Sequence, residues 1–228
     1  MKKGLFALTA CVISCMVYAQ EGVFNKEDLM AAFKQYNPLA LEKATSDAQY
    51  QKILELLFSA YSLPRTEQNR YETIALVKNF DNSIYLKNLQ DFYFEKQTLA
   101  QATGVSLQGL NDDMLRQLRP VSKSIFQNTL DVRQLQLKEY KQQLKALKQQ
   151  KDLSAEEKQS QIQALQNKIK AVKQEIKRLK SHANHKVKDV SEIYLAEMQS
   201  KFSKEQSLRA LESQARDVKA NHKKPVAQ

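Results

Sequence analysis

Residues 137–172 read LKEYKQQLKALKQQKDLSAEEKQSQIQALQNKIKAV, and their pattern determines the architecture that we expect. Large side chains recur every three or four residues on both sides of Asp152-Leu153-Ser154. This spacing is typical of the seam between two helices, and the two halves mirror each other about the short central segment. The sequence therefore predicts an antiparallel helical hairpin with its turn near residues 152–154.

The mirror symmetry also predicts which side chains face each other across the seam. In every facing pair, the two residues lie at nearly the same distance from the turn along the chain. From tip to base, the predicted pairs are Leu147 with Lys158, Leu144 with Ile162, Tyr140 with Leu165, Leu137 with Ile169, Arg133 with Val172, Leu130 with Ile176, and Phe126 with Leu179.

Residues 1–19 have the features of a secretory signal peptide. A basic start precedes an apolar run at residues 5–17, and Val17-Tyr18-Ala19 matches a cleavage pattern. The run is shorter than the roughly 20 apolar residues that span a bilayer. We expect cleavage after Ala19, an exported periplasmic or extracellular protein, and no transmembrane segment in the mature chain. The alternative is a lipoprotein anchored at Cys15, because Val12-Ile13-Ser14-Cys15 fits a lipoprotein cleavage pattern.

The positive charge is concentrated in the second half of the chain. Residues 20–120 contain 11 Lys or Arg and 13 Asp or Glu, a net charge of −2, whereas residues 121–228 contain 23 and 12, a net charge of +11. Beyond the leader, twelve aromatic residues precede residue 100 and only four follow it. Large rings supply much of the area of a protein core, so the first half is the predicted globular part.

Helix signals run through the whole chain, and strand signals are scarce. The predicted starts and ends are Asn25 with Asp28, Ser46 with Gln49, Thr66, Ser83, Gly104, Asn111-Asp112-Asp113, and Ser154 with Glu157. Pro120 is expected to kink its helix without ending it, because the apolar stripe keeps its phase there.

These signals predict an all-α fold in which a small multi-helix domain precedes the long hairpin. The expected domains are a globular helical domain at 20–110, a kinked helix and hairpin with a C-terminal helix extension at 111–219, and a disordered basic tail at 220–228. The returning helix is expected to extend back toward the globular domain. Its stripe is expected to be buried on that domain, or else on another subunit of a homo-oligomer: Val190, Tyr194, Met198, Phe202, Leu208, Leu211, Ala215 and Val218.

Two rows of lysines are predicted to lie on one side of the hairpin. In the heptad frame they occupy the b and e positions of both helices, so that the rows run end to end over on the order of 35 Å. We call these residues the lysine face: Lys138, Lys141, Lys145, Lys148, Lys170, Lys173, Lys177 and Lys180. Like charges at spacings of three and four cost a few tenths of a kcal/mol per pair, and few acids complement them. The lysine face therefore favours an anionic partner, although a solvated spacer carries similar residues.

Catalytic patterns are missing from the sequence. Four glycines leave no phosphate-binding loop, and we expect no enzymatic activity, cofactor or metal. His182 and His185 share a helix face but supply two ligands where zinc needs three or four. The expected function is that of an exported, chaperone- or adaptor-like binding protein whose lysine face meets an anionic surface or acidic polypeptide of the cell envelope. The alternative is a structural coiled-coil subunit of a surface or secretion assembly. Export argues against nucleic acid as the partner.

Overall fold

The computed structural model describes residues 22–104, 106–150, 153–181 and 183–222. The predicted leader with Cys15, the turn residue Asp152, His182 and the end of the predicted tail lie outside the described residues. The described elements are β1 (Val23–Phe24), α1 (Lys26–Tyr36), α2 (Pro38–Lys43), α3 (Ala48–Ala60), β2 (Leu63–Pro64), α4 (Glu67–Lys78), α5 (Phe80–Thr103), α6 (Gln108–Gln149), α7 (Ala155–Ser181) and α8 (Ala183–His222). The prediction of an all-α fold is confirmed.

The two short strands form one antiparallel pair, in which Val23 faces Pro64 and Phe24 faces Leu63. Arg65 secures this pair, because its guanidinium bonds the Val23 carbonyl at 3.2 Å and Asp28 at 2.6 Å. The strand pair therefore ties the first described residues to the start of α4.

Several helix starts lie where the capping signals predict them. Asn25 accepts from the Asp28 amide at 3.2 Å, and the Asp28 carboxylate accepts from the Asn25 amide at 3.0 Å. Thr66 caps α4, and its hydroxyl accepts from the Asn69 amide at 3.1 Å. Ser154 caps α7 through the amide of Glu157 at 3.3 Å. Such caps satisfy backbone amides that have no partner inside the helix.

Three other predicted starts are wrong by one to three residues. The cap of α3 is Asp47 and not Ser46, because the Asp47 carboxylate accepts from the amides of both Gln49 and Tyr50. Ser83 lies inside α5, where its hydroxyl donates to the Asn79 carbonyl of the preceding turn at 3.1 Å.

The third error concerns α6, which begins at Gln108. Asn111 lies within its first turn, and the side-chain oxygen of Asn111 accepts a hydrogen bond from Tyr93 at 3.1 Å. This side chain therefore serves a contact between helices and does not cap α6. The helix then continues through Pro120 without ending, as the unbroken apolar stripe predicts. At its other end α5 stops at Thr103, and Gly104 follows with a φ of +70°, a backbone conformation that glycine adopts readily.

The chain divides into two compact units. Among the described residues, the first comprises those within 22–84 and 124–183, and the second comprises those within 85–123 and 184–222. The expected domains at 20–110 and 111–219 stay predictions. Both α5 and α6 cross the boundary between the two units. In the first unit, α1, α3 and α5 meet around Phe33, whose ring contacts Phe58 and Phe80 edge-on at 5.8 and 5.2 Å.

The hairpin of α6 and α7 belongs to the first unit. Tyr140, Ile169 and Val172 are buried in its seam, and the half-buried residues packed against them are Leu137, Leu144, Leu165 and Ile176. The seam thus draws its apolar residues from both helices, and the predicted pairing of individual residues stays a prediction. Two polar contacts also join the helices, from Arg133 to Glu175 at 2.9 Å and from Lys158 to the Gln150 carbonyl at 2.6 Å. The predicted antiparallel hairpin is confirmed.

In the second unit, α8 lies against α5 and the first part of α6. Phe202 contacts the Phe94 ring at 5.4 Å, and Ser191 donates to the Ser122 hydroxyl at 3.0 Å. The buried apolar residues of this unit are Leu89, Tyr93, Met114, Leu118, Val121, Leu195, Met198 and Phe202. The expected burial of Met198 and Phe202 is therefore confirmed, and α5 supplies much of their cover.

The expectation is wrong for the next two residues of the stripe. Leu208 and Leu211 are each 61% exposed. At about 100° per residue, these positions lie roughly 120° and 180° around α8 from Phe202. The four-residue interval of the buried stripe is lost after Phe202, so the two leucines point away from α5. The side chains of Ala215 and Val218 lie outside the described part.

Candidate functional site: the lysine face of the hairpin

All eight side chains of the lysine face are exposed. Four lie on α6 and four on α7, with the spacing that the heptad frame predicts. Within the described residues, none of the eight donates a hydrogen bond or forms an ion pair. Other lysines of the same unit differ, since Lys43 bonds Asp81 at 2.5 Å and Lys168 bonds Glu67 at 2.7 Å. Within the described residues, the fold therefore leaves these eight ammonium groups without hydrogen-bond or ion-pair partners.

Helix α4 contacts the hairpin through a cluster of polar groups around Glu139. Arg70 donates to both oxygens of the Glu139 carboxylate, at 2.6 and 2.9 Å, and the Tyr71 hydroxyl donates to the same group at 2.7 Å. The Tyr71 ring also meets the Tyr140 ring edge-on at 6.4 Å. We call Arg70, Tyr71 and Glu139 the carboxylate clasp, because they hold α4 to the hairpin.

The clasp shifts the protonation of its own members. Burial alone would raise the pKa of the Glu139 carboxyl, but hydrogen bonds from Arg70 and Tyr71, together with the charges of Arg70 and Lys138, hold that pKa below its ordinary value. Burial and the bond to Glu139 raise the pKa of Tyr71. Glu139 is therefore ionised and Tyr71 neutral at physiological pH, which is the state in which both hydrogen bonds form.

A second ionic contact joins α4 to the returning helix. The Lys168 ammonium bonds Glu67 at 2.7 Å and lies 5.4 Å from the centre of the Tyr140 ring. The hydrogen bond to Glu67 raises the pKa of Lys168, although partial burial opposes the shift. Lys168 thus belongs to the side of α7 that contacts α4.

The positions of these contacts place α4 and the lysine face on opposite sides of the hairpin. Around the axis of α6, at 100° per residue, the lysines lie about 90° from the seam in one direction. Glu139 lies about 130° from the seam in the opposite direction. On α7 the lysines again lie about 90° from the seam, and Lys168 lies about 70° away in the opposite sense. Because the helices are antiparallel, the lysines of α6 and α7 lie on the same face of the hairpin, and Glu139 and Lys168 lie on the other face. The globular helices therefore do not cover the lysine face through α4.

A shallow groove runs along the lysine face on α6. Its volume is about 350 Å³, and it is lined by Gln134, Leu137, Lys138, Lys141, Gln142 and Lys145. The lysines thus lie beside amide groups that can donate and accept hydrogen bonds. An extended anion can contact both kinds of group.

No large apolar side chain is exposed on the described residues of the hairpin, from 124 to 181. Elsewhere in the described chain the exposed ones are Val23, Leu39, Leu56, Tyr85, Phe92, Leu99, Ile193, Leu208 and Leu211. The lysine face therefore offers charge and hydrogen bonds, with apolar contact limited to half-buried Leu137 and the lysine stems.

The described residues contain neither a metal-binding cluster nor a membrane-spanning helix. No group of three or more His, Cys, Asp or Glu side chains is placed to hold a metal ion there. The side chains of His182 and His185 lie outside the described part. None of the described helices combines the length and apolar character needed to cross a membrane.

The carboxylate clasp was not predicted from the sequence. One signal was available, because Glu139 is the only acidic residue between Asp131 and Asp152 in a strongly basic helix. An isolated acid in such a segment indicates a specific partner, but its position alone does not identify Arg70, which lies 69 residues earlier.

Comparison with family models, curated proteins and solved structures finds no match to this chain.

Proposed function

We propose that this chain is an exported, non-enzymatic binding protein of the cell envelope, similar in role to a chaperone or adaptor, and that its lysine face holds an anionic partner. The observation that carries the proposal is the set of eight exposed lysines without hydrogen bonds or ion pairs within the described residues. Like charges this close repel one another, so they reduce the stability of their own helices. An anionic partner would relieve that repulsion.

The orientation of the hairpin supports the same function. Glu139 and Lys168 lie on the opposite side of the hairpin and contact Arg70, Tyr71 and Glu67 of α4. A binding protein needs a surface that remains accessible after folding, and the lysine face meets that requirement within its own unit. Charge complementarity would accelerate encounter with the partner and make binding sensitive to salt.

A set of charge reversals tests the proposal. In the test variant, Lys141, Lys145, Lys173 and Lys177 are changed to Glu. The matched control carries Lys26→Glu, Lys34→Glu, Lys52→Glu and Lys204→Glu, which are exposed lysines elsewhere and alter the net charge equally. Binding to heparin and to anionic liposomes is measured at 50 mM salt by titration, and helicity by circular dichroism.

We expect the test variant to lose at least tenfold in affinity for the anion it binds, with its helicity unchanged, because four charge contacts are lost. The control should remain within about threefold of the wild type. Equal losses in the two variants would mean that total charge, and not the lysine face, governs binding.

Export is part of the proposal and rests on residues 1–19. The intact mass of the cellular protein distinguishes the two forms of processing. Cleavage after Ala19 leaves a chain that starts at Gln20, whereas lipoprotein processing leaves a chain that starts at an acylated Cys15, and globomycin blocks the cleavage before Cys15. An unprocessed chain that begins at Met1 would contradict export.

A structural subunit of a larger assembly is the second candidate, and the two leucines exposed on α8 favour it. Leu208 and Leu211 are available for contact with another chain, whereas Met198 and Phe202 are already buried. Changing Leu208 and Leu211 to Ser would convert an oligomer to monomers in this case, as sedimentation velocity would detect. A wild-type chain that is already monomeric at high concentration would exclude assembly through this surface.

A further inference from the structure

The lysine face is narrow, elongated and devoid of exposed large apolar side chains, and these three properties restrict its partner. Building on the proposed function, we infer that the partner is an extended acidic polysaccharide, a hydrophilic polymer whose carboxylate, sulfate or phosphate groups recur along its length. The groove on α6 is the part of the lysine face where the residues that would contact the polymer can be named.

The lysines form a line and not a cluster. Within each helix they are three or four residues apart, a rise of about 4.5 to 6 Å. The row on α6 ends where the row on α7 begins, so the whole line extends over on the order of 35 Å. A compact anion would contact one or two of these charges, whereas an extended polymer can contact most of them together.

The absence of exposed apolar side chains argues against two other anionic partners. A protein that binds tightly to a membrane surface commonly inserts aromatic or large aliphatic side chains at the lipid boundary. A helix that docks on a hairpin needs an apolar stripe to bury. Within the described residues 124–181, no large apolar side chain is exposed for either purpose. The lysine face is therefore suited to a partner that remains hydrated.

Amide side chains beside the lysines match the remaining chemistry of a sugar polymer. Gln134 and Gln142 line the groove together with Lys138, Lys141 and Lys145, and both glutamines are exposed. Sugar rings present hydroxyl groups that donate and accept hydrogen bonds, and a carboxamide complements both functions. The lysine ammonium groups would contact the acidic groups of the polymer. The glutamine amides would contact the hydroxyls of the same sugar unit or of its neighbour.

The test uses the full chain and heparin fragments of increasing length, with binding followed by fluorescence anisotropy at 50 mM salt. Affinity should rise with fragment length until the fragment covers the line of lysines, and should level off beyond it. Neutral dextran serves as the uncharged control. Phosphatidylglycerol liposomes represent a membrane partner, and poly-glutamate represents an acidic polypeptide. Both should bind at least tenfold more weakly per binding site than the longest heparin fragment.

A glutamine variant tests the amide contacts separately from charge. Gln134→Ala with Gln142→Ala should weaken heparin-fragment binding by about two- to tenfold for each hydrogen bond lost, and should leave poly-glutamate binding unchanged. Gln35→Ala with Gln101→Ala, at exposed sites elsewhere, is the matched control and should alter neither.

The outcomes separate this inference from the function on which it rests. Binding to liposomes or poly-glutamate that equals or exceeds binding to heparin fragments overturns the polysaccharide inference and leaves an anion-binding protein. Affinity that does not change with fragment length overturns it as well. No binding to any of the three anions overturns both the inference and the proposed function.

Discussion

Glu139 is the residue on which the attachment of α4 to the hairpin depends. Its carboxylate receives three hydrogen bonds from two side chains of α4, and its side chain is only 16% exposed. Replacing it removes the acceptor for Arg70 and Tyr71, which then remain partly buried without that partner.

We therefore expect Glu139→Ala to lower the free energy of unfolding by about 1–3 kcal/mol. Urea denaturation followed by circular dichroism measures the change. Glu156→Ala, at an exposed site in the first turn of α7, is the control and should cost less than about 0.5 kcal/mol. A cost at Glu139 as small as that of the control would show that the clasp contributes nothing to stability.

The same carboxyl predicts how stability depends on pH. Its pKa is lower in the folded chain than the ordinary value of 4.5, so the folded state favours the ionised form. The stabilisation is complete well above pH 4.5 and is lost as the pH falls below that value and through the folded pKa. Wild type should lose stability more steeply than Glu139→Gln between about pH 5 and 3. Parallel curves for the two proteins would contradict the assignment.

At the scale of elements, the hairpin register is set by the buried seam of α6 and α7. Tyr140, Ile169 and Val172 are buried together, and a shift of one heptad would move each side chain about 10 Å along its partner helix. Such a shift would also separate Arg133 from Glu175. The register is therefore specified by apolar contacts and by at least one ion pair.

Engineered disulfides test this register. With Cys11 and Cys15 replaced by Ser, cysteines at Leu137 and Ile169 should crosslink efficiently within one chain under mild oxidation, because facing positions come within disulfide range. Cysteines at Leu137 and Ile176 are offset by one heptad and should not. Non-reducing electrophoresis at high dilution measures both, and efficient crosslinking of the offset pair would refute the predicted register.

The hairpin could be predicted from the sequence because its determinants are local. A repeat of three and four residues, a capping pair at Ser154 and Glu157, and symmetry about the turn are all readable from adjacent positions. The exposure of the lysine face followed from the same frame. Leu208 and Leu211 were assigned to the buried stripe although their spacing from Phe202 places them on other sides of α8.

The clasp and the unit boundaries could not be predicted in the same way. The bond between Arg70 and Glu139 joins residues 69 positions apart, and no local pattern selects one arginine over another. The boundary between units falls inside α5 and α6, where each helix is continuous and no linker marks the boundary in the sequence. The face of the hairpin that α4 covers can be identified only from the folded structure.

At the scale of the whole molecule, the proposed function depends on separating an internal surface of the hairpin from an external one. Within the first unit, acids pair with bases where α4 meets the hairpin, as at Arg70 with Glu139 and Lys168 with Glu67. The opposite side retains eight lysines with no such partners among the described residues. This asymmetry leaves eight of the 23 Lys and Arg residues of the second half of the chain together on one exposed surface.

The most direct test of this account is the salt dependence of heparin binding by the wild type and the two four-lysine variants. Counterion release makes the logarithm of affinity fall with the logarithm of salt concentration, with a slope close to the number of charges engaged. Wild type and the control with changes at Lys26, Lys34, Lys52 and Lys204 should share one steep slope, and affinity should fall on the order of a hundredfold between 50 and 200 mM salt. The lysine-face variant should show a much smaller slope, because it retains at most four of the eight lysines. The same slope in all three proteins would contradict the claim that the lysine face is the binding surface.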